Sequence, residues 1–251
     1  MDRFSVFGLL IGFGALFGTQ LLEGGRPGTL IQGPAATIVF LGTLGATLLS
    51  TSPEHVRSAA RAIRSVFVPA SDHRHALPGL FRDLALIARK DGLVSLERRP
   101  RSLPSPFLQR GLRSMIDGCD EKHLRGLLDS DAQARQQAVQ AAAEVYETAG
   151  GYAPTMGILG AVLGLIRAMG SLSEPDALGS GIAVAFIATV YGVGGANLLL
   201  LPIASKIRQR AHAQALEDSM IIEGLLALQA GTAPRTIERR LAAHLGHEDE
   251  S

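Results

Sequence analysis

Four long stretches of the chain carry no charge, and they come in two pairs. The first runs from Phe4 to Leu22 and the second from Pro27 to Pro53, with its apolar heart at Ala35 to Leu49. The third runs from Thr148 to Ile166 and the fourth from Ala177 to Ser205. Each can supply the roughly 20 apolar residues that a helix needs to cross a bilayer. Of the 251 residues, 47% are hydrophobic and only 19% charged. A soluble domain carries about 25% charge, and a chain this short does not bury four such helices and still wet its surface. The 29 glycines concentrate in these stretches, where membrane helices use them for close packing. No small-residue cleavage site follows the first stretch before Glu23 and Arg26, so it is expected to stay as an anchor.

Charge placement sets the orientation. The connectors Glu23 to Gln32 and Gly170 to Asp176 hold one basic residue, Arg26. The segment from Ser52 to Gly150 holds 15 Lys and Arg, and the tail from Ile203 holds 6. Basic loops stay in the cytoplasm, so both termini and the middle segment are expected inside and both connectors outside. The expected organisation is transmembrane helices over residues 1–22, 33–51, 151–170 and 179–205. Periplasmic connectors cover 23–32 and 171–178, a cytoplasmic helical domain 52–150, and cytoplasmic C-terminal helices 206–251. Outside the spans the pattern is helical. Ser52, Pro53 and Glu54 read as an N-cap, a first-turn proline and a first-turn acid. Leu77 to Lys90 repeats at helical spacing, Arg98 to Pro106 reads as a turn, and Ala132 to Thr148 runs without a stop into the third span. The fourth span is expected to run on towards Leu228. The class is all-α: a four-span integral membrane protein with a large helical cytoplasmic insertion between spans two and three.

Enzyme signatures such as G-x-x-x-x-G-K-[ST], H-E-x-x-H and G-x-S-x-G are absent. Cys119 is alone, and the 7 His lie in charged segments, where they read as solvated surface. His73 and His75 lack a third ligand nearby, and no cofactor or metal is expected. No Asp or Glu lies inside any span, and Arg167 sits near the outer end of span three, where it can snorkel. A travelling ion needs a carboxylate at mid-membrane, which another subunit would have to bring. The spans do hold Pro154, Thr155, Thr189 and Pro202, and small-residue faces at Gly157, Gly160 and Gly164 and at Ala185, Ala188, Gly192 and Ala196. Proline bends a membrane helix. Small faces read first as packing seams, and a lone Thr first as bonded to its own helix.

Together these motifs resemble a known family. Ala153-Pro154-Thr155-Met156-Gly157-Ile158-Leu159-Gly160, with Val162 to Ile166, is similar to the third-helix signature of the MotA/PomA flagellar stator proteins. Gly181 to Ala185, Ala188-Thr189-Val190-Tyr191-Gly192, Ala196-Asn197 and Leu201-Pro202-Ile203-Ala204 resemble the fourth. Gly24-Gly25, Leu30-Ile31-Gln32 and Gly42 to Thr47 match around span two. Ala88-Arg89-Lys90-Asp91-Gly92-Leu93 with Leu96-Glu97 looks like the family's charged torque motif, and the tail at Ala233-Pro234, Ile237-Glu238 and Leu241 fits as well.

The resemblance implies a stator subunit of the bacterial flagellar motor, in the inner membrane. Such subunits form a ring, five around two copies of a MotB-like single-span partner that supplies the ion-binding Asp. Ion flow turns the ring against the rotor protein FliG. It implies that Arg89 and Glu97 face the rotor, that Pro154 and Pro202 are the coupling prolines, and that Thr189 is the channel-side threonine. Thr155 and Ala161 belong to the same ion path. Sodium-driven relatives tend to place a threonine where this chain has Ala161, so the resemblance favours a proton. Membrane lipid is an expected partner and nucleic acid is not. Two alternatives stay open: an ExbB/TolQ-type energiser of envelope transport, and a four-span scaffold that conducts nothing.

Overall fold

The computed structural model describes residues 3–25, 27–68, 73–98, 103, 105–171, 173 and 175–246. Among these there are helices and no strands. The chain divides into two compact units: Met1–Pro69 with Ala138–Gln209, and Ala70–Gln137 with Arg210–Ser251.

The first unit holds the apolar helices. Helix α1 (Arg3–Leu22) is continuous, and many of its large side chains, such as Phe4 and Leu22, are exposed. A short 3-10 turn at Pro27–Leu30 leads into span two, which is α2 (Gly33–Ala36), a π turn (Thr37–Leu41) and α3 (Gly42–Ser50) in one run. The π turn was not legible in the sequence. Helix α4 (Pro53–Phe67) begins as expected: Ser52 accepts from the His55 N–H at 3.4 Å, and Pro53 fills the first turn. Its apolar stripe packs Ala59 with Ala142 and Val145, and Val66 with Ala143 and Ile207.

Span three lies in the second half of α7 (Glu121–Gly170), a 50-residue helix that passes through Pro154 without ending. Span four is α8 (Pro175–Gly195), a second π turn (Ala196–Leu200) and the start of α9 (Leu201–Gln229). Pro202 follows that π turn directly. A proline cannot return a hydrogen bond to the carbonyl four residues back, and a wider turn there relieves the clash of its ring. Among the described residues, four helices are long and apolar enough to cross a membrane.

The second unit has its own core. It is built by α5 (Leu77–Asp91), α6 (Pro106–Ile116), α10 (Pro234–Gly246) and the parts of α7 and α9 that fall in this unit. Leu77, Phe81, Leu108, Leu112, Leu128 and Ile221 are among its fully buried side chains. Gly224 leaves room for the Phe81 ring: a Cβ there would lie 2.6 Å from it. Asp120 caps α7 by accepting from the His123 N–H at 2.9 Å. That bond and the charge of His123 hold the Asp120 carboxyl below its ordinary range. Of the expected turn from Arg98 to Pro106, residues 99–102 and 104 lie outside the described residues, as does His247.

Candidate functional site

The two small-residue faces meet each other. A Cβ on Gly192 would lie 2.5 Å from the Ala153 carbonyl oxygen, and one on Gly157 2.9 Å from the Ala188 carbonyl oxygen. One on Gly164 would lie 2.7 Å from the Ala185 nitrogen. These are backbone atoms, so spans three and four touch main chain to main chain along a seam from Ala153 to Gly181. Van der Waals packing of this kind is what holds helices together in lipid.

The seam fixes where the ion-path candidates point. Pro154 is half-buried and Thr155 exposed on span three, and Ala161 is half-buried one turn beyond Gly157. Thr189 and Pro202 are exposed on span four. Thr189 shares the level of Gly157, whose added Cβ would lie 3.4 Å from the Thr189 Cα. Pro154, Thr155, Gly157, Ala161 and Thr189 therefore occupy three adjoining turns of the helix pair. Pro202 lies more than three turns of span four beyond Thr189. Both hydroxyls are engaged with their own helices: Thr155 donates to the Tyr152 carbonyl at 2.7 Å and Thr189 to the Ala185 carbonyl at 3.3 Å. The second bond is long, which leaves Thr189 the easier of the two to redirect. No carboxylate faces this surface within the spans.

Arg89 and Glu97 are placed by a tight local structure. Helix α5 ends at Asp91, Gly92 takes a left-handed φ of 79°, and a 3-10 helix spans Leu93–Arg98. Fully buried Leu96 anchors that helix in the core, so its neighbour Glu97 stands on the surface. Arg89 is exposed at the last turn of α5 and reaches the Gly231 carbonyl at 3.4 Å. Glu97 pairs with no described residue. Both charges stand exposed on the second unit, and no bond joins them.

Several polar contacts escaped the sequence reading. In the first unit the Tyr191 hydroxyl, on span four, donates to the Leu30 carbonyl and accepts from the Gln32 N–H at 3.1 Å, with its ring stacked on Phe40 at 5.7 Å. Arg208 pairs with Glu147. In the second unit Arg135 pairs with buried Asp218 at 2.9 Å and lies 4.1 Å over the Phe107 ring. Burial pushes the Asp218 carboxyl above its ordinary range, against the pull of Arg135. Arg82 bridges Asp83 and Glu238, each at 3.0 Å. His244, expected to be solvated, is half-buried against Glu223 at 2.6 Å. None of these contacts has a local sequence signal, because the partners lie 21 to 161 residues apart, Asp83 excepted.

Residues 100–220 match the family model described as the MotA/TolQ/ExbB proton channel family. Motility protein A of Bacillus subtilis is 31% identical over 250 residues, covering 99% of this chain and 93% of that protein. Motility protein A of Helicobacter pylori is 32% identical, covering 98% of this chain and 95% of that one. Among solved structures, the flagellar MotAB stator complex from Bacillus subtilis superposes with a TM-score of 0.91 at 30% identity, covering 99% of this chain and 98% of that one. The chain therefore belongs to the MotA/TolQ/ExbB proton channel family, within its motility protein A group.

Proposed function

We infer that this chain is a stator subunit of the bacterial flagellar motor, and that a ring of its copies converts ion flow into torque. The observation that carries the reading is the end-to-end likeness, in sequence and in fold, to motility protein A and to a MotAB stator complex. The spans agree with it: two helices lock along a glycine seam, and no carboxylate lies in the spans to bind and release an ion. The ion-binding Asp then comes from a MotB-like single-span partner. Five copies surround two partners, with the exposed face of spans three and four turned towards them. Pro154 and Pro202 let those spans flex, Thr189 orients water or the partner's carboxylate, and Thr155 and Ala161 complete the path.

The ion is a proton. A dehydrated sodium ion needs several oxygen ligands, and Ala161 offers none where a threonine would. The chain lies in the inner membrane with both termini and the second unit in the cytoplasm, as the basic loops direct. There Arg89 and Glu97 act on the rotor protein FliG.

The test is complementation. A strain lacking its own stator genes, given this chain with its single-span partner, should swim and should pass protons through its membrane. Neither gene alone should do so. A pair that assembles but yields neither motion nor proton flux overturns the reading.

A further inference from the structure

Within the first unit, an apolar groove of 410 Å³ opens between span two, α4 and the inner parts of α7 and span four. Phe40, Leu44 and Leu48 of span two, Val56 and Ala60 of α4, and Leu199 line it. Its span-two lining runs from Val39 to Leu48, about 14 Å of helix and close to half the roughly 30 Å of a bilayer's hydrocarbon core. The groove is therefore one leaflet deep. It reaches the face where span two ends and α4 begins, and π turns contribute to its lining, at Thr37–Leu41 and Ala196–Leu200. Such turns recur at functional sites.

Helix α4 lies along that same face. It leaves the end of span two at Pro53, and its far end, Val66 and Phe67, shares a cavity with Phe4 and Ser5 at the start of span one. Spans one and two form a hairpin, so both points belong to one side of the membrane. The exposed side of α4 carries Arg57, Arg61 and Arg64. Arg57 and Arg64 flank Ala60 on its own face, three residues before and four after it. None of the three pairs with a carboxylate among the described residues, and like charges at this spacing repel. An anion beside Ala60, where α4 lines the groove, removes that repulsion.

We propose that this groove holds an anionic phospholipid, with an acyl chain between span two and span four and the phosphate against Arg57, Arg61 and Arg64. Basic side chains on an amphipathic helix beside a span attract anionic headgroups, and the apolar groove accepts only the chain. The proposal rests on the spans crossing a bilayer and not on the motor reading. A failure of complementation leaves its test intact.

The test uses the full chain with its co-expressed partner, reconstituted into nanodiscs. These contain phosphatidylglycerol or phosphatidylcholine bearing a photoreactive diazirine on the acyl chain. After illumination, adducts are mapped by mass spectrometry. Phosphatidylglycerol should label Leu44 and Leu48 at least fivefold more than phosphatidylcholine. The triple variant Arg57→Gln, Arg61→Gln, Arg64→Gln should bring the two lipids within twofold of each other. Ala60→Phe should block the groove labels and leave those on Phe7 and Ile11, which are exposed on span one. Should Ala60→Phe fail to assemble, the exposed arginine variant still decides. Equal labelling by the two lipids, or a preference that survives the triple variant, overturns the proposal. So does labelling of Phe7 and Ile11 with none at Leu44 and Leu48, the pattern of a groove covered by a second copy.

Discussion

The Thr43 hydroxyl is buried in span two and has no hydrogen-bond partner among the described residues. Its neighbours behave otherwise: Thr37 donates to the Gly33 carbonyl and Thr47 to the Thr43 carbonyl. A buried hydroxyl left unpaired costs about 1–3 kcal/mol, so Thr43→Val should stabilise the detergent-solubilised chain by about 1 kcal/mol, read from the shift in its thermal melt. Arg89 and Glu97 are exposed, and a surface pair contributes only about 0–1 kcal/mol. Single neutralisations should therefore slow swimming partially. The double reversal Arg89→Glu with Glu97→Lys should damage it severely while membrane assembly, measured by co-purification with the partner, stays normal. Normal swimming by that variant would remove the two residues from the torque assignment. Asp218 makes a pH prediction. Its folded pKa is raised by burial, so between the ordinary carboxylate value and that raised value the folded chain holds a proton the unfolded chain has lost. Stability is therefore lost as pH rises through this window and levels off above it. Urea unfolding at several pH values should show that slope, and Asp218→Asn should flatten it.

At the scale of elements, the seam between spans three and four is the contact least able to yield. An alanine at Gly164 brings a methyl group within 2.7 Å of main chain, whereas around Gly179 nothing lies within 4 Å. Gly164→Ala should cost about 1–3 kcal/mol as overpacking, and Gly179→Ala should be nearly neutral, both measured as the fraction of assembled complex surviving a heat step. Gly157, Gly160 and Gly164 were readable as a packing face because their spacing alone puts them on one side of a helix. The Ser52 cap and the run of α7 into span three were readable for the same local reason. The two π turns were not, since no residue type marks an extra residue in a helical turn. The Tyr191 contact was equally hidden, because its partners lie about 160 residues away. His244 read as solvated because its own segment is charged, and only the packing of α10 brings it to Glu223. Arg89 and Glu97 carried no physical signal beyond charge. The motif resemblance singled them out, and the structure adds that Gly92 and Leu96 put both on the surface.

For the whole molecule, orientation and ion are the two properties to measure. Cys119 is the only thiol, half-buried in the second unit, where its carbonyl accepts from Gln229. A membrane-impermeant maleimide should label it only after cells are opened, and labelling in intact spheroplasts would invert the topology. Swimming should persist in sodium-free medium, collapse with a protonophore and ignore phenamil. Speed that rises with sodium would assign the other ion. The Tyr191 clamp adds a matter of timing. The Leu30 carbonyl it serves is made 161 residues earlier. At about 5–20 residues per second of synthesis, the first hairpin spends on the order of ten to thirty seconds in the membrane before the side chain that secures its entrance exists. During that interval the nascent protein is a natural client for membrane insertases and proteases, and any pause in translation before Tyr191 lengthens its exposure to both.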